Sequence, residues 1–161
     1  VRGAGESTAL KRKNVDAEEQ LNKIPRMVLN YHFMSTRDAE NGENLGLAMK
    51  DESTGNRYLR AVGQKGVEGM EWLVKDLHEE LKSWGRMGGT AGNIIIKTDG
   101  EASIVAFRNA LARYHGGIVT PEVPPYGEDW SHGSAEDNGR RMRSLIKMYL
   151  GQLEERTKVK L

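Results

Sequence analysis

The sequence predicts an α/β fold in which one five-stranded mixed sheet, three strands antiparallel and two parallel, carries helices on both faces. Three observations predict it. Strand-like runs rich in β-branched and aromatic residues between positions 27 and 62 are joined by short Gly-containing turns. From position 70 the apolar spacing switches to steps of three and four. Beyond that, short β-branched runs alternate with helical ones, a pattern that builds parallel pairs.

The elements follow in order. Met27 to Met34 is the first strand. The stretch "DAENGENL", with Asn41-Gly42 as a turn signal, leads to a second strand over Leu45 to Lys50. "DESTGN" is a hairpin loop to a third, Arg57 to Val62. Met70, Leu73, Val74, Leu77, Leu81 and Trp84 form one helical stripe that stops at Gly85. "NIIIKTD" reads as a strand covered on both faces. In "GEASIVAFRNALARYHGG", Ile104, Phe107, Leu111 and Tyr114 share a helical face. "GIVTPEV" is a fifth short strand, "PPYGEDWSHGS" a polar loop, and a last helix runs from about Ala135 to Glu155. Trp72 and Trp84 are expected in the core, and Trp130, in the polar loop, could stack on a base.

The 161 residues suffice for one domain with a real core. Residues 1–24 read as a polar arm or linker and 25–161 as the domain; "KRK" at Lys11 to Lys13 is either a solvated run or a basic patch. Val1 in place of Met suggests a segment of a longer polypeptide. No apolar run approaches membrane-spanning length and no signal peptide is visible, so no membrane partner is expected. The absence of cysteine excludes disulfides, thiolate catalysis and Cys-ligated zinc. His32, His78, His115 and His132 lack metal-ligand spacing. "GRMGGTAGN" lacks the Lys-Ser/Thr ending of a phosphate loop and precedes a strand. A net charge of +1 neither demands nor forbids nucleic acid, because a local stripe matters more than the total.

Two places carry candidate chemistry. Asp99 closes a strand just before a helix, where ligands gather in open α/β sheets; the same "TDG" is also ordinary turn chemistry. Glu136 opens the last helix, and Arg140, Arg143 and Lys147 follow on the same face, within about 60° of arc. Such a row suits a phosphate backbone, with Arg141 and Lys97 as weaker contacts; it also suits a solvated face. Met142, Leu145, Ile146, Tyr149 and Leu153 are expected to form that helix's core side.

Together these features resemble the catalytic core of retroviral and retrotransposon integrases, within the ribonuclease-H-like fold, over roughly residues 25 to 155. That family carries an Asp-Asp-Glu triad: one Asp in the first strand, one at the end of the fourth, and a Glu opening a helix some thirty-five residues later. Asp99 and Glu136 match the last two, with 36 residues between them. The Glu context is "HGSAE", with His132 where the family has Asn. "VLNYHF" matches the first strand except that Asn30 stands at the first Asp.

The resemblance implies a two-ion Mg²⁺ or Mn²⁺ centre held by the triad, DNA as partner, a homo-oligomer, a nuclear setting and no small-molecule substrate. Phosphodiester cleavage and strand transfer would then be lost or weak here, because Asn30 keeps an oxygen but not its charge. Asn30 could reflect decay of a mobile element, a deliberate substitution or recruitment to a non-catalytic role. Asp51 and Glu101 are the carboxylates that could compensate. A nucleic-acid-binding or assembly module and a ribonuclease H-type nuclease using Glu68 or Glu71 remain the alternatives.

Overall fold

The computed structural model describes residues 23–87, 89–123 and 132–160. The side chains of 89–90, 132–136 and 138 lie outside the description, as do the arm with Lys11 to Lys13 and the loop bearing Trp130.

Five strands make one sheet in the order β3-β2-β1-β4-β5: β1 (Arg26–Phe33), β2 (Leu45–Asp51), β3 (Arg57–Val62), β4 (Ile94–Lys97) and β5 (Val119–Glu122). β2 lies antiparallel between β1 and β3, while β4 pairs with β1 and with β5 in parallel. This is the mixed sheet, three strands antiparallel and two parallel, that the sequence predicts. Among the described residues four α-helices join it: α1 (Thr36–Asn41), α2 (Glu71–Ser83), α3 (Ala102–Tyr114) and α4 (His132–Thr157).

Alternation along β1 sorts the two faces. Met27 and Leu29, with Tyr31 and Phe33 beside them, meet Leu47, Met49, Ile94 and Ile96 in the main core. Leu73, Val74, Leu77 and Leu81 of α2 and Ile104, Phe107 and Leu111 of α3 close that core. Val28, Asn30 and His32 point to the other face, which α4 crosses. Tyr58 donates to Asp76 Oδ2 at 2.6 Å, and Arg60 binds the same carboxylate through Nε and Nη2 at 2.9 and 3.0 Å. These bonds fasten the edge strand β3 to α2.

Four local expectations change. α1 occupies part of the stretch read as a turn. Ser35 Oγ accepts from Asp38 N at 3.1 Å, and Gly42, at φ 68°, ends the helix. Trp72 is 49% exposed, because it lies off the α2 stripe; Trp84 is half-buried and donates to Glu80 Oε1. Tyr114 is also exposed and sets its ring edge-on to His78. On α4, Leu145, Tyr149 and Leu153 are exposed, whereas Gly139, Met142, Arg143 and Ile146 face the sheet.

Gly139 explains that rotation. A Cβ there would stand 2.5 Å from His32 Nδ1, so glycine lets the helix backbone lie directly on the His32 ring. In an exposed helix, Gly→Ala gains up to about 1 kcal/mol. Here Gly139→Ala is expected to cost about 1–3 kcal/mol in urea unfolding, from overpacking. Adding His32→Ala should recover most of that loss, and simple additivity of the two changes would contradict the packing.

Candidate nucleic-acid interface

The parallel pairing of β1 with β4 runs Arg26↔Ile95, Met27↔Ile96 and Val28↔Lys97. Continued past the last pair, the same offset sets Asn30 level with Asp99, where the two strands part. Facing agrees with this. Thr98 turns toward α3, where its Oγ1 accepts from the buried Arg108 at 3.2 Å. Its neighbour Asp99 therefore turns to the side that Asn30 shares. Asp99 Oδ1 accepts from Glu101 N at 3.0 Å, which fixes the carboxylate at the head of α3 and leaves Oδ2 available.

Asn30 is half-buried, paired across the sheet with Ala48, and its side chain has no hydrogen-bond partner among the described residues. Glu136 lies in the second turn of α4, the helix that crosses this same face; its side chain is outside the description. His32 follows Asn30 on this face. Burial, and then the charge of Arg143, lowers its pKa, so the ring is neutral near pH 7. Its Nε2 is buried with no partner among the described residues.

The compensating carboxylates are engaged elsewhere. Asp51 is fully buried and bound to Arg86 and Ser53. It stands opposite Met27, three residues back along β1 from Asn30. Glu101 binds Lys65 at 2.8 and 2.9 Å; that contact, followed by the Ser103 hydroxyl, lowers its pKa. Glu68 and Glu71 are exposed at the start of α2, which packs on the face opposite Asn30.

The described side chains here supply one carboxylate and one neutral amide, and no group of three His, Cys, Asp or Glu converges among the described residues. Mg²⁺ needs several hard oxygen donors, and two such ions held close together need negative charge between them.

The cations divide into two groups. Arg140 and Arg141 line a depression of about 390 Å³ with Arg57, Ser144 and Leu145. Arg57 comes from β3, eighty-three residues before Arg140, so helical spacing could not reveal it. Arg141 also pairs with Asp137 at 3.0 Å. Arg143 turns inward, its Nη1 donating to Phe33 O at 3.3 Å, while Lys147 stays exposed. Lys97 has a side chain only 12% exposed and stands 3.9 Å from Glu52. The row foreseen on one helical face is thus split between the sheet surface and the outer depression.

No helix among the described residues is long and apolar enough to cross a membrane. No protein-family model and no curated protein matches the chain. Among solved structures, a chain of the simian T-cell lymphotropic virus intasome in complex with the PP2A regulatory subunit B56 gamma is similar at a TM-score of 0.46 and 11% identity. The match covers 79% of this chain and 41% of that one, so this chain spans less than half of its length.

Proposed function

We propose that the chain is a polynucleotide-binding module of integrase type, from a mobile element, whose phosphodiester chemistry is disabled at Asn30. The observation that supports this reading is the β1–β4 register, which ends at Val28↔Lys97 and, continued by two residues, would bring Asn30 level with Asp99 on the face that α4 crosses. A charged residue at position 30 would complete a triad; the amide breaks it.

The nucleic acid would run along the first half of α4. Arg57, Arg140 and Arg141 line one depression, where guanidinium groups suit a phosphate, and Lys147 extends the track. DNA as the partner implies a DNA-containing compartment such as the nucleus. A second copy of the chain would cover the exposed stripe of Leu145, Tyr149 and Leu153.

Fluorescence anisotropy with a labelled DNA duplex tests the binding half of the reading. Affinity should fall steeply with salt, and each lost phosphate contact should lower the log–log slope by about 0.9. Arg57→Ala and Arg140→Ala should each remove about one contact, while Glu136→Gln should leave binding intact. No DNA binding at low salt would contradict the proposal. Cleavage of an RNA–DNA hybrid would instead favour the ribonuclease H-type reading.

A further inference from the structure

At the opposite end of β4 from Asp99, two histidines meet that are 37 residues apart in sequence. His78 lies within α2 and is half-buried; His115 directly follows α3 and is 6% exposed. His115 Nε2 is 2.6 Å from Gly92 O. A carbonyl only accepts, so Nε2 carries the proton and Nδ1 of His115 presents a bare lone pair. That lone pair is 3.4 Å from His78 Nδ1, with the rings crossed at 77°.

As a hydrogen bond, 3.4 Å is long against the usual 2.7–3.2 Å or so. As the bite of a metal it is well matched. Two nitrogens about 2.0–2.1 Å from a tetrahedral Zn²⁺ lie about 3.3–3.4 Å apart. The ring N–H to a backbone carbonyl is also the outer-shell contact that orients a ligating histidine. The Gly92 carbonyl is itself held in place. Ile118 N donates to Asn93 Oδ1 at 3.0 Å, Ile94 N donates to Ile118 O at 3.0 Å, and Gly92 and Gly117 touch so closely that no Cβ fits at 117.

We propose that His78 and His115 form a two-histidine site for a borderline divalent transition metal, Zn²⁺ being the leading case, that staples α2 to the end of α3. Neutral imidazoles select Zn²⁺, Co²⁺, Ni²⁺ or Cu²⁺ over Mg²⁺. No third His, Cys, Asp or Glu joins the pair among the described residues, so water would take the remaining positions. With two protein ligands, the expected affinity is micromolar and exchangeable, and the site is separate from any Mg²⁺ or Mn²⁺ chemistry at Asp99.

The test uses the full, untagged chain titrated with Zn²⁺ by calorimetry and with Co²⁺ by visible absorption. One equivalent should bind, Co²⁺ should give ligand-field bands, and Zn²⁺ should raise Tm to a plateau. His78→Ala, at a half-buried position that should still fold, is expected to weaken binding at least tenfold and abolish the Tm rise. His32→Ala should bind as the parent chain does. Absence of saturable binding, binding unchanged in His78→Ala, or an equal response to Mg²⁺ would overturn the proposal.

Discussion

Asn30→Asp is expected to raise the affinity of the chain for Mn²⁺ by about a thousandfold. The substitution keeps size and reach and adds one charge, level with Asp99. At an effective dielectric near 20, one charge pair at about 4 Å contributes roughly 4 kcal/mol, and about 1.4 kcal/mol is a factor of ten. A divalent ion, or two ions sharing the carboxylate, would gain more. The same change carries a second signature. Without metal, the new carboxylate faces Asp99 and should lower stability, and Mn²⁺ should reverse that loss. Electron paramagnetic resonance of free Mn²⁺ and thermal unfolding with and without the ion check both. Unchanged Mn²⁺ affinity would mean that Asn30 does not face a metal position.

Asp51→Ala is expected to destabilise the fold by about 3–5 kcal/mol. The carboxylate is fully buried, Arg86 reaches it through Nε and Nη2 at 3.0 and 2.8 Å, and the Ser53 hydroxyl donates at 2.6 Å. Removing it takes the carboxylate from Arg86, whose side chain is only 18% exposed and keeps, among the described residues, only its bond to Ser53 Oγ, at the corner where β2 turns into β3. Burial alone would raise the pKa of Asp51, but the hydrogen bonds from Ser53 and Arg86 outweigh it, and the net shift is downward. A depressed folded-state value contributes stability that is fully present above the ordinary carboxylate range. It is lost as pH falls through the lower folded value. Urea midpoints measured from pH 7 downward should therefore converge for parent and variant under strong acid, and a constant gap would contradict this.

Strand order and pairing were legible because alternation, Gly-containing turns and helical stripes all pointed to one sheet. The pairing of β1 with β4 joins residues some seventy positions apart, so no local pattern could give its register. Three features escaped for physical reasons. α1 is six residues long with no buried side chain, so it leaves no periodic signal and rests on its Ser35 and Gly42 caps. The roll of α4 is set by the close approach of Gly139 to His32, a contact across the fold that outweighs the apolar count of the helix face. Arg57 and the His78–His115 pair join residues far apart in sequence, so no local spacing could connect them.

DNA strand joining with Mg²⁺ and Mn²⁺ tests most directly the proposal that Asn30 holds the place of a catalytic carboxylate. The chain as written should not join, Asn30→Asp should join, and Asp99→Asn or Glu136→Gln placed on top of Asn30→Asp should abolish the gain. Equal joining by the parent chain and Asn30→Asp would contradict the account, since the metal ions would then be held by other carboxylates.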